Sequence, residues 1–278
     1  MKIKLVDDNL GKQTNLSPFI KAPHPFSKSE KDPDWVIFTD QKCFTSEVSK
    51  YSCHKAAWII EPPVVNGENH INITKIHHKF DYVFSYNRWI EKRIPNFKFV
   101  PHAGSWIREE DIAIHEKSKL CSVIMSNKEW NAGHRQRLSI LNHIKNDKID
   151  GFGKACKNYI KNKIDGLKDY MFSIAMENEA PPFLFDPSND YFSEKILDCF
   201  LSGTIPIYLG NPRISKYFNP DGIIIINEHA QARKQIESIT KEMYYAKLDA
   251  VKENFDLAQQ YIHPENLIID YITNQSSD

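Results

Sequence analysis

DPSNDYFSEKILDCFLSGTIPIYLG, residues 186–210, reads as a loop, a helix and a buried strand in succession. Ile196, Leu197, Phe200 and Leu201 make one apolar stripe at helical spacing. Ser193 or Asp190 can cap the start of that helix, and Gly203 can stop it. Thr204–Leu209 follows as an apolar run of strand length. Working outward, the same alternation continues on both sides. Leu120–Met125, Ile149–Phe152, Tyr170–Met176 and Gly222–Ile226 read as further strands. Gly133–Ile144 reads as a helix with Leu138, Ile140, Leu141 and Ile144 on its apolar side. From Ala230 to Ile262 the pattern is amphipathic helix, interrupted by Pro264. Most of the strands are apolar at consecutive positions, as in parallel sheets covered on both faces.

The first hundred residues carry runs of the same kind: Ile3–Val6, Trp35–Thr39, Ala57–Ile60, Tyr82–Phe84 and Phe97–Val100. They run out into Asp7, Asp40, Glu61-Pro62-Pro63, Ser85-Tyr86-Asn87 and Pro101-His102. In open α/β sheets, ligands bind at such carboxyl ends. The expected fold class is therefore α/β, with two tandem Rossmann-like domains, residues 1–115 and 116–278. The charged segment Arg108–Lys119 is the expected boundary, and a cleft between the domains is the expected place for substrates.

Composition narrows the function. The 278 residues carry 36 Lys and Arg against 36 Asp and Glu, and 41% are hydrophobic. A neutral chain has no global field to hold a polyanion or an anionic membrane surface, so no nucleic-acid partner is expected. Cys43, Cys53, Cys121, Cys156 and Cys199 are scattered without a CxxC pair, which suggests neither a disulfide framework nor a thiolate zinc site. The N-terminal MKIKLVDDNL reaches two aspartates before any signal-peptide core, and no apolar run could span a bilayer. The expectation is a cytoplasmic protein without an integral membrane segment, in which the sequons at Asn15, Asn72 and Asn274 are chance matches.

The chemistry concentrates at Glu194-Lys195. A lysine in a first helical turn is suited to a phosphate or pyrophosphate, and a glutamate beside it can accept from ribose hydroxyls. Three linked blocks extend this reading: Tyr170–Asn178, Asp190–Ile196 and Gly203–Gly210. Together they resemble the donor-binding signature of glycosyltransferase family 10, the α1,3/α1,4-fucosyltransferases. Upstream, Val123–Asn127, His134–Leu138 and Gly151–Lys154 are similar to further family segments, as are Ile60–Pro63, Phe80–Arg88 and Phe99–His102 in the first half. Pro62 stands where the family has serine.

The resemblance implies an inverting GT-B transferase that moves L-fucose from GDP-fucose to a glycan hydroxyl, α1,3-type, and requires no cofactor or metal. By position, Arg135 and Lys195 would hold the pyrophosphate, with Arg135 favoured over Arg137. Glu194 would bind the ribose, and Asn178 and Tyr191 would line the nucleotide pocket. Glu61 would be the general base. Tyr86, Arg88 and His102 are candidates for the acceptor side, with packing as the alternative for Tyr86 and Arg88 and an ordinary loop histidine for His102. The lysine-rich stretch Lys154–Lys168 reads as a solvated face. His77 and His78, being adjacent, cannot jointly grip one metal. Glu179–Pro187 is longer than the usual family loop and is a candidate lid or lip. Two alternatives stay open: a different nucleotide sugar on the same scaffold, and a non-catalytic glycan- or nucleotide-binding relative.

Overall fold

The computed structural model describes the whole chain except residues 9, 11–12, 23–25, 145–146, 180–188, 227–228 and 275–278. Two five-stranded sheets form. The first holds β1 (Ile3–Val6), β2 (Trp35–Thr39), β3 (His54–Ile59), β4 (Tyr82–Ser85) and β5 (Phe97–Phe99), side by side in chain order. The second holds β6 (Lys119–Ile124), β7 (Ile149–Phe152), β8 (Tyr170–Met176), β9 (Ile205–Leu209) and β10 (Ile224–Ile225), in the order β10-β9-β8-β6-β7. All pairings are parallel. Strand order reverses between β6 and β8, so the second sheet has a switch point there, and the carboxyl ends flanking it open a crevice for a ligand.

The helices are α1 (Pro63–Ile76), α2 (Arg88–Glu91), α3 (Ala132–Ile144), α4 (Glu194–Phe200), α5 (His229–Ser238), α6 (Lys241–Tyr245), α7 (Leu248–Gln259) and α8 (Glu265–Asn274). Ser193 is the residue that caps α4, its hydroxyl accepting from the Lys195 N–H, and Gly203 follows the helix at φ +70°. Asp190 has a different place, described below. The expected long terminal helix is broken into α5, α6 and α7, with Thr240 capping α6. Strand β10 is shorter than expected because Pro220–Gly222 turns instead, with Asn219 accepting from the Asp221 N–H.

Each sheet is covered on both faces, which is what consecutive apolar residues require. Ile140, Leu141 and Ile144 of α3 cover one side of the second sheet, and Ile196, Leu197 and Phe200 of α4 cover the other. The last helix differs from expectation. Ile268, Ile269 and Ile272 of α8 pack on Leu5, Trp35, Trp58 and Phe84, so α8 belongs to the core of the first sheet. Full burial of such isoleucines contributes about 1.5–3 kcal/mol each.

Glu265, at the start of α8, is 1% exposed. Its Oε1 accepts the Leu16 N–H at 2.6 Å, and its Oε2 has no partner. Burial pushes this carboxyl up to about 7, while hydrogen bonds from its own N–H and that of Leu16 hold it back. The folded chain therefore binds more protons than the unfolded chain between an ordinary carboxylate pKa and about 7. Stability from this group is present below the unfolded value and is lost as pH rises through the folded one, by about 3 kcal/mol in total. Glu265→Gln is expected to remove that slope. Thermal melts should show the variant more stable than the parent at pH 8, with the advantage gone by pH 4.5. An advantage independent of pH would contradict the assignment.

Candidate active site

The carboxyl ends of both sheets face one cleft of about 1000 Å³. Ile60 and Glu61 after β3, and His102 and Ala103 after β5, line the first wall. Met125 to Lys128 after β6, Gly153 and Lys154 after β7, and Asn178 after β8 line the second, with Tyr191, Glu194 and Lys195. The switch point between β6 and β8 thus opens into the cleft. A volume at the top of the ~300–1,000 Å³ range of small-ligand sites leaves room for two substrates.

Glu61 is held from behind. Asp40, in the left-handed region at φ 38°, accepts the N–H groups of Ile60 at 3.0 Å and Glu61 at 3.2 Å through its Oδ1. The Glu61 carbonyl accepts from His70 Nε2 at 2.9 Å, and His70 Nδ1 lies 3.0 Å from Asn87 Nδ2. Burial takes the His70 pKa down to about 4, so its ring is neutral, donating at Nε2 and accepting at Nδ1. Pro63 begins α1 with no amide proton to satisfy. The Glu61 side chain is left facing the cleft. Burial raises its pKa above the ordinary carboxylate value and Glu194 adds to this, while Lys195 and Lys128 oppose.

The second wall is cationic at its centre. Lys195 Nζ donates to Ser193 Oγ at 3.0 Å and to Glu194 Oε1 at 3.1 Å, and it lies 3.6 Å from Glu177. Glu177 is buried beneath, accepting the Ser193 N–H at 2.9 Å and the Ser193 hydroxyl at 2.5 Å. It fixes the residue that caps α4. That helix has only seven residues, so the positive character here comes from side chains more than from a helix dipole. Burial alone would raise the Glu194 carboxyl, but Lys195, Lys163 and His102 hold it well below the usual range.

Arg137 and Arg135 part company. Arg137 lines the cleft half-buried, its guanidinium destabilised by burial and supported by Glu177, Tyr191 and Glu194. Its Nε has no partner. Arg135, the residue favoured from the resemblance, is exposed, donates to the Glu129 carbonyl at 3.1 Å and is not part of the lining. His134 lies beside Arg137 with its ring 4.5 Å from that of Trp130. Burial together with Arg137, Lys128 and Lys195 lowers its pKa to about 4.

The other predicted residues divide. Asn178 lines the cleft with its Oδ1 unpartnered. Tyr191 lines it too, its ring between Tyr86 and His102, each 5.1 Å away. His102 lines it as a neutral ring, burial lowering its pKa to about 4, with an unpartnered Nδ1. Tyr86 is fully buried behind Tyr191 and is not in the lining. Arg88 is also outside it, stacked 3.8 Å over Phe99 and donating to Glu91 and to buried Asp190. Arg213 and Tyr217 reach the same Asp190, so Arg88 joins a charge cluster tying the first sheet's domain to the loop before α4. Lys163 departs from the solvated-face reading, because it lines the cleft and pairs with fully buried Asp198 at 2.6 Å. The proposed lid at 179–187 lies almost entirely outside the described residues.

Five of the orphaned polar atoms, Asn15 Oδ1, His102 Nδ1, His134 Nδ1, Arg137 Nε and Asn178 Oδ1, belong to cleft residues. Buried polar groups are normally satisfied, so this concentration points to a polar ligand. Residues 114–274 match the model of glycosyltransferase family 10 (fucosyltransferase), C-terminal part. The chain belongs to glycosyltransferase family 10.

The family 10 match takes in the whole second wall, with Arg137, Asn178, Tyr191, Glu194 and Lys195, and leaves Glu61 and His102 outside it. An α-(1,3)-fucosyltransferase of Helicobacter pylori is 34% identical over 80 residues, 29% of this chain and 15% of the relative. The 4-galactosyl-N-acetylglucosaminide 3-α-L-fucosyltransferase 9 of Mus musculus is 26% identical over 174 residues, 60% of this chain and 45% of the relative. The chain thus spans less than half the length of either. A crystal structure of α1,3-fucosyltransferase with GDP superposes with a TM-score of 0.54 at 16% identity, covering 89% of this chain and 79% of that one. The fold of this family 10 chain is of the GT-B type, two α/β domains facing a cleft. Among the described residues, no helix is long and apolar enough to cross a membrane.

Proposed function

We propose that this protein transfers L-fucose from GDP-fucose to a hydroxyl of a glycan, with inversion at the anomeric carbon and an α1,3-type linkage. One observation carries the reading: a carboxylate with a raised pKa, Glu61, shares a cleft with the cations Lys195 and Arg137 on the opposite wall. Lys195 and Arg137 hold the diphosphate, so Arg137 takes the role that the resemblance gives to Arg135. Glu194 accepts from the ribose, and Asn178 and Tyr191 line the nucleotide. Glu61 takes the proton of the acceptor hydroxyl as that oxygen attacks the anomeric carbon. The bond from carbon to the diphosphate oxygen breaks, and the negative charge gathering on GDP meets fixed cations. These residues supply what the step needs without a divalent ion.

Calorimetric titration with GDP, GDP-fucose and UDP in EDTA tests this. Binding of the two guanine ligands but not UDP is expected. Selective binding of UDP would keep the fold and sink the fucose reading, and no binding of any would favour a non-catalytic relative.

A further inference from the structure

Eight large hydrophobic side chains are exposed among the described residues, and four of them, Phe19, Trp106, Trp130 and Tyr159, line the one cleft. All four are aromatic. Exposed aromatics gathered at a concavity mark a binding surface. Trp130 and Tyr159 stand on the second wall, after β6 and β7. Phe19 and Trp106 have a different origin, the segment before β2 and the connection between the two sheets.

These two segments are stapled together. The Ser105 N–H donates to Ser17 Oγ at 2.8 Å, and the Ser17 hydroxyl donates to the Ile262 carbonyl. Gly104, at φ +84°, lets the chains meet, since a Cβ there would lie 2.7 Å from the Leu16 carbonyl oxygen. Asp198 accepts the Trp106 N–H at 3.0 Å and the Ser105 hydroxyl at 2.7 Å. The backbone is therefore fixed beneath rings that remain 55% exposed at Phe19 and 53% exposed at Trp106. Beside them Asn15 also lines the cleft, and its Oδ1 is buried without a partner. Two pre-positioned apolar faces next to one unsatisfied acceptor suit a ligand with a C–H face and a hydroxyl edge, which describes a hexopyranose. Such preorganisation lowers the ordering cost of binding.

We propose that Phe19, Trp106 and Asn15 form the subsite that seats a hexopyranose unit of the acceptor glycan. The inference rests on the transferase reading above. It assigns acceptor recognition partly to the connection between the sheets and to the segment before β2, rather than to the strand ends alone.

An immobilised glycan array probed with the full chain in saturating GDP tests the subsite, with GDP calorimetry on the same preparations. The parent is expected to retain a subset of the hexopyranose-containing glycans. Trp106→Ala and Phe19→Ala are expected to lose that signal tenfold or more, Trp106→Phe to recover most of it, and Asn15→Ala to weaken it severalfold. Retention by the alanine variants equal to the parent would overturn the subsite, and so would a parent that binds GDP but no glycan. Loss in Trp106→Phe as complete as in Trp106→Ala would overturn the stacking role. A parent that fails to bind GDP would instead remove the donor reading on which the proposal rests.

Discussion

The Glu61→Gln variant is expected to lose transfer by about 10²–10⁴-fold while binding GDP at least as tightly as the parent. Glutamine keeps the shape and the backbone bonds from His70 and to Asp40, but it cannot take the hydroxyl proton. GDP should not bind more weakly, because Glu61 and Lys195 attract one another, and a diphosphate competes with Glu61 for that cation. A pH profile provides a second reading. The active form of a base is ionised, so kcat/KM of the parent should rise as pH increases through the Glu61 pKa. Burial moves that limb upward from the ordinary carboxylate value. In the variant the limb should vanish. Transfer within tenfold of the parent would remove Glu61 from the reaction and leave the proton to another group.

Arg137→Ala and Lys195→Ala are each expected to weaken GDP by roughly 10–100-fold, the cost of a charge-assisted contact of about 1.5–3 kcal/mol. Arg135→Ala should change it by less than about threefold, since an exposed arginine bonded to the Glu129 carbonyl has little to lose. Part of the Lys195 effect comes from leaving Glu177 and Glu194 without their nearest cation. Melting temperatures measured alongside would separate that loss of order from lost ligand contact. If Arg135→Ala weakened GDP as much as Arg137→Ala, α3 would present a different face to the ligand from the one described.

The two arginines show how far the sequence could be read. Ile140, Leu141 and Ile144 define the buried side of α3, and Arg137 lies one helical turn before Leu141, so its face meets the cleft. Arg135 lies one turn before exposed Ser139. The helical period separates the two faces, whereas the resemblance to the family by itself does not. Strand positions were legible because parallel strands covered on both faces are apolar throughout. Helix α1 was not, since Ile71 is 51% exposed while Asn69 and His70 are buried, leaving no apolar stripe to see. His70 and Asp40, which brace Glu61, carry no local signal, because their partners lie 9 and 20 residues away. Lys163 seemed solvated among its neighbours because its counter-ion, Asp198, comes from α4.

The placement of α8 has a consequence for biosynthesis. A first domain can ordinarily fold while the rest of the chain is still being made. Here Ile268 and Ile272, which close the core over Trp35 and Trp58, leave the ribosome roughly 170 residues after β5. At synthesis rates of about 5–20 residues per second, that is a wait of roughly 10–35 s with one apolar face of the first sheet uncovered. The second domain can complete its sheet before the first has its final helix. Newly made chains would be most exposed to chaperones and to self-association through the half that is synthesised first.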